Sequence, residues 1–113
     1  MQRGEIWWAN LANEPTGSSP GFRRPVMVLQ TNRLNQSQLG TVVVVTITSN
    51  LNYAKALGNV LLQPIESGLP LESVVNASQI QTIDKSQFIE RVGQLPSGTV
   101  ENIGDGLRRV LEL

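Results

Sequence analysis

The chain has 113 residues, no cysteine, no histidine and zero formal net charge, which fits one small domain without disulfides or a thiol nucleophile. The commonest general base and zinc ligand is also missing, and neutrality argues against a non-specific nucleic-acid coat. The longest apolar run, VVVV, is far short of the roughly 20 residues a membrane span needs, and MQRGEIWWANL lacks a signal-peptide core, so a cytoplasmic protein is expected.

In chain order, EIWWANL alternates and is rich in strand formers, so it predicts a first strand. Trp7 and Trp8 then face opposite ways. One belongs to the core, and the other serves a subunit interface or stacks on a base. ANEPTGSSPG is a long polar loop of the kind that often carries function. PVMVLQ is a second strand, and TNRLNQSQLG is irregular with room for a short helical turn. TVVVVTITS is the strongest strand, apolar on both faces like the centre of a covered sheet. NLNYAKALG is a loop, NVLLQPI a strand ended by Pro64, and ESGLPLES a turn region. VVNASQIQTI and FIERVGQL complete six strands.

The period then changes. In SGTVENIGDGLRRVLEL the spacing of Val100, Ile103, Leu107, Val110 and Leu111 is helical. Ser97 or Thr99 is the expected N-cap, Glu101 suits the first turn, and Arg108 and Arg109 suit the last. Gly104 and Gly106 each cost about 1 kcal/mol relative to Ala, so the helix must pack on the sheet to persist. A single domain over residues 1–113 follows, mainly β: a small β-barrel with a C-terminal α-helix laid on it.

Charge is unevenly spread. Residues 1–60 hold five basic side chains (Arg3, Arg23, Arg24, Arg33, Lys55) against Glu5 and Glu14, whereas residues 61–113 hold four basic against seven acidic. Any anion site therefore belongs to the first half, the alternative being a chance imbalance of solvated charges. Arg24, held extended by Pro25, stands at the mouth of the second strand, either as a guard against edge pairing or as an anion ligand. Thr48 and Ser49 end the third strand, through β-propensity alone or as part of a site. Gln79 and Gln81 mark a wet strand face or read base edges.

Four blocks together carry a resemblance. RGEIWWANL, RRPVMVLQTN, TVVVVTITSN and QIQTIDK resemble, in that order, the MazF/PemK (Kid) toxin family, whose motifs include an Arg-Gly-Asp/Glu opening and a Gln-x-x-Thr-Ile-Asp signature. The resemblance implies an SH3-like barrel and a homodimer. It implies the toxin of a type II toxin–antitoxin system, an mRNA interferase that cuts single-stranded mRNA sequence-specifically without a metal or other cofactor, inhibiting translation and growth. A cognate antitoxin is the implied protein partner. By position, Arg24 and Thr48 correspond to catalytic residues, with Ser49 beside Thr48, and Gln79 to the signature glutamine.

The sequence also departs from the family. Ser19 and Ser78 stand where relatives often carry acids, and Gln81 stands where they often carry Arg. Arg23 can replace lost positive charge, and Glu14 is a possible base in the long loop. RNA brings its own nucleophile, the 2′-hydroxyl, so in-line attack needs only a proton acceptor and a cation on the phosphate. The expected ends are a 2′,3′-cyclic phosphate and a 5′-hydroxyl. Arg24 suits the scissile phosphate, since a guanidinium fork grips it better than an ammonium. Arg23 adds field, and Asn32, Gln79 and Gln81 remain for bases. Two alternatives stay open: an inactive RNA- or antitoxin-binding remnant, and a gyrase inhibitor of the related CcdB-like toxin fold. The latter acts through a C-terminal helix with an aromatic tail, but this chain ends RRVLEL.

Overall fold

A computed structural model describes residues 1–11 and 22–113. Glu14 and Ser19, in the long loop, lie outside them. Six strands form one antiparallel sheet, curled like half a barrel: β1 Glu5–Asn10, β2 Arg23–Val28, β3 Thr41–Thr48, β4 Val60–Leu62, β5 Ser73–Asp84 and β6 Phe88–Gln94. Their order is β4-β5-β3-β2-β1-β6. Short helices α1 (Asn32–Asn35) and α2 (Pro64–Ser67) interrupt the connections, and α3 (Ser97–Leu111) ends the chain. The mainly-β architecture with its terminal helix is the one the sequence implies.

Alternation explains why the middle of β3 is apolar on successive residues. Val45 and Ile47 join one core with Ile6, Met27 and Leu62, over which α3 lays Val100, Ile103 and Leu107. Val42 and Val44 join a second core with Ala9, Val26, Val28 and Ile83 on the other face. A strand buried on both faces has no polar side to show. The two tryptophans divide the same way, Trp8 packing on the first core and Trp7 on the second. Trp7 meets Phe88 edge-on, with centroids 5.5 Å apart.

The helix differs from expectation at its start. Its N-cap is Pro96, Ser97 is its first residue, and no side chain caps it. Thr99 instead donates its hydroxyl to Glu66 Oε1 at 2.9 Å, tying α3 to α2. Glu101 falls beyond the first turn, while Arg108 and Arg109 occupy the last. The costly Gly106 has a reason: a Cβ there would overlap the backbone carbonyl of Gly58, itself at φ +80°. Helix and loop touch backbone to backbone, which only glycine permits. Pro64 does end β4, and then opens α2 through a capping box between Gln63 and Glu66.

Polar residues of the second connection are structural. Gln30 and Asn35 are buried and bonded to each other at 3.1 Å. Gln30 also accepts from Val43 N at 3.2 Å, and Asn35 donates to the Gln30 carbonyl oxygen at 2.9 Å. Buried amides satisfied in this way fix the crossing from β2 to β3.

Candidate active site

Antiparallel pairing decides what meets at the mouth of the sheet. Ala9 opposes Arg24 and Asn10 opposes Arg23 across β1 and β2. Val26 opposes Thr46 across β2 and β3, so two residues further along Arg24 comes abreast of Thr48. The start of β2 and the end of β3 therefore share one rim. A cleft of about 420 Å³ opens there, lined by Trp8, Arg23, Arg24, Thr48, Ser49 and Asn50 and by Leu69, Pro70, Leu71 and Ser73. That size suits a small ligand or a single nucleotide.

The two arginines are held differently. The Arg23 guanidinium lies 5.2 Å from the Trp8 ring centroid, a cation–π placement, and reaches Glu90 Oε2 at 3.4 Å. Both members of that ion pair are exposed, and such pairs contribute about 0–1 kcal/mol. Arg24 donates only to the carbonyl oxygen of Arg23, at 3.0 Å, and has no carboxylate partner among the described residues. No carboxylate lines the cleft among the described residues either, so its lining charges are the two guanidiniums, of which Arg23 is paired with Glu90.

Thr48 has a positional task as well. Its Oγ1 accepts from Asn50 N at 3.1 Å, which closes the turn after β3 and leaves the hydroxyl proton to donate. Asn50 repeats the device, its Oδ1 accepting from Asn52 N at 3.1 Å.

The structure thus brings Arg23, Arg24, Thr48 and Ser49 to one cleft. Gln79, Gln81 and Asn32 stand elsewhere. Gln79 is exposed where the β3–β5 register slips between Val45 and Ile47. Ser78 is beside it, its hydroxyl 3.3 Å from Asn76 Oδ1. Gln81 opposes Val44 on the same strand pair. Asn32 sits past the far end of β2, its Oδ1 accepting from Arg3 N at 2.6 Å and Asn35 Nδ2 at 3.2 Å. The wall of Leu69, Pro70 and Leu71 escaped the sequence reading, because a turn segment carries no periodicity. Its one signal was two leucines in a turn.

Glu5, of the opening motif, is buried. It accepts from Gln2 N at 2.9 Å, Trp7 Nε1 at 3.0 Å and Arg91 Nε at 2.9 Å. Burial alone would raise its pKa, but these three donors outweigh it and hold the carboxyl below its ordinary value. It is a joint between β1 and β6, away from the cleft lining.

Known proteins give the same outline. The model of the PemK-like, MazF-like toxins of type II toxin–antitoxin systems matches residues 2–111. Endoribonuclease MazF6 of Mycobacterium tuberculosis is 44% identical over 113 residues, covering 100% of this chain and 98% of the relative. Endoribonuclease EndoA of Bacillus subtilis is 29% identical over 113 residues, covering 100% and 96%. Among solved structures, an endoribonuclease in complex with its cognate antitoxin from a mycobacterial species superposes with TM-score 0.80 at 23% identity, covering 100% of this chain and 96% of that one. A MazE–MazF complex from Deinococcus radiodurans gives 0.74 at 23%, covering 100% and 96%. These two share the fold. With the family model spanning nearly every residue, the chain belongs to the PemK-like, MazF-like toxin family of type II toxin–antitoxin systems.

Proposed function

We propose that this chain is an endoribonuclease that cuts single-stranded mRNA at specific sequences without a metal, and so arrests translation and growth. The observation that carries the reading is the cleft itself, where two guanidiniums and the Thr48 hydroxyl converge with no carboxylate among the described lining residues. Such a site attracts a phosphodiester, and no carboxylate or imidazole among its described lining residues stands ready to activate the Thr48, Ser49 or Ser73 hydroxyl as a nucleophile. RNA supplies one. The 2′-oxygen loses its proton and attacks the adjacent phosphorus, the bond to the 5′-oxygen breaks, and that proton, passed by way of the phosphate, ends on the 5′-oxygen, which leaves as a hydroxyl. The products are a 2′,3′-cyclic phosphate and a 5′-hydroxyl.

Arg24 grips the non-bridging oxygens as charge develops on them. Arg23, steadied on Trp8, adds field or holds the neighbouring phosphate. Thr48 donates to a non-bridging oxygen or relays the 2′-proton to the phosphate. Gln79, Gln81 and Asn32 lie off the cleft, available to bases further along a bound strand.

The reading extends to a cytoplasmic homodimer of a single-domain chain, neutralised by an antitoxin. The names of the relatives support the antitoxin. Exposed Leu51, Tyr53, Leu57 and Leu61 support a subunit contact. The decisive experiment incubates the protein with a long RNA in excess EDTA, and with the same RNA carrying one 2′-deoxy nucleotide 5′ of the cut. Cleavage should survive EDTA and stop at the deoxy site. A deoxy substrate cut at the RNA rate, or a reaction stopped by EDTA, refutes this mechanism.

A further inference from the structure

The side-chain amide of Asn50 has a forced orientation. Its neighbour in the bond, Asn52 N, can only donate, so Asn50 must present its oxygen there. The same residue lines the cleft beside Thr48 and Ser49. With Oδ1 turned to Asn52 N, the Nδ2 amine is the end of the amide directed away from that bond; it only donates and has no acceptor among the described residues. The anchor is itself anchored, since Asn50 N donates to Thr48 Oγ1 at 3.1 Å. The donor is thereby fixed in relation to the hydroxyl that meets the phosphate.

A donor without acceptor capacity distinguishes bases by their exocyclic groups. At the exocyclic position on C4 of a pyrimidine or C6 of a purine, uracil and guanine carry a keto oxygen that accepts, whereas cytosine and adenine carry an amino group that donates. Unstacked bases of single-stranded RNA expose those edges. The cleft gives the ring a seat: Leu71 is exposed at its rim, with Leu69 and Pro70 beside it. We propose that Asn50 is a specificity-determining residue that selects a keto base, uracil or guanine, over an amino base at a nucleotide next to the cut. This rests on the RNA-cleaving reading above.

The discriminating substitution is Asn50→Asp. Aspartate still accepts from Asn52 N, so the turn is kept, but it presents an acceptor in place of a donor. Both proteins are given an RNA pool of randomised sequence and the cut ends are sequenced. The wild type should favour keto over amino bases by roughly two- to tenfold at one flanking position, the range of one neutral hydrogen bond. Asn50→Asp should lose or reverse that preference at the same position alone, with its other preferences and its melting temperature unchanged. An unchanged profile, equal slowing at every sequence, or a wild type indifferent to keto and amino bases at every flanking position overturns the assignment and leaves the nuclease reading standing. A wild type that cuts no RNA refutes both.

Discussion

Arg91 and Arg24 carry the same charge at opposite ends of the molecule's economy of contacts. Arg91 donates to Glu5, a buried carboxylate already holding two other donors. Arg24, on β2 opposite Ala9 of β1, has only a neighbouring carbonyl oxygen among the described residues. The first cation, itself exposed, is tied to a buried acid and joins β6 to β1. The second is stationed at a rim with no described carboxylate beside it. Arg91 thereby joins two strands, whereas Arg24 lines the cleft.

The sharpest way to break this comparison is at Arg24. Arg24→Ala should lower RNA cleavage by about 10²–10³-fold with the melting temperature unmoved, and Arg24→Lys should not restore the full rate, since the planar fork is lost. Cleavage at the wild-type rate would make Arg24 a mere edge guard. On the structural side, Gly106→Ala should destabilise the fold by about 1–3 kcal/mol, read by urea unfolding, although alanine is the better helix former. The overlap with Gly58 outweighs propensity.

Glu5→Gln should cost about 2 kcal/mol, since it removes charge-assisted bonds at a buried site, while the folded fraction still cleaves. Glu5 also predicts a pH dependence. Its folded pKa lies below the unfolded value, so the native state binds fewer protons. Its stabilisation is present above the unfolded value near 4.5 and is lost as pH falls through the folded pKa. Unfolding measured from pH 6 down to about pH 3 should steepen for the wild type and flatten for Glu5→Gln. The smallest effect belongs to Glu90→Gln. It releases Arg23 from an exposed pair, so RNA affinity should tighten by no more than about fivefold. A loss of affinity would mean that Glu90 orients Arg23 for binding.

Much of this was legible in the residues. Strands with clear alternation declared themselves, and the burial of both faces of β3 followed from VVVV. The meeting of Arg24 with Thr48 needed pairing register, which no single segment contains. Asn32 shows the opposite hazard. It is eight positions from Arg24 in sequence, yet β2 carries it past the far end of the strand, where its oxygen serves Arg3 and Asn35. The helix cap was misplaced because Ser97 and Thr99 both have capping chemistry, while the chain turns at Pro96. The Leu69–Leu71 wall and Asn50 depend on tertiary placement and hydrogen-bond direction, which composition does not encode.

The backbone contact between Gly58 and Gly106 makes the segment after β3 something like a cassette. One end is fixed by Thr48 and Asn50, the other by Gly58 against the helix and by Asn59, which bonds Tyr53 O at 2.9 Å and Ala77 N at 2.8 Å. Between them Lys55, Ala56 and Leu57 are exposed. Chain length can change in such a stretch at little entropic cost, about 0.6 kcal/mol for each doubling of a flexible loop. Residues could therefore be added there without disturbing the sheet that holds the arginines.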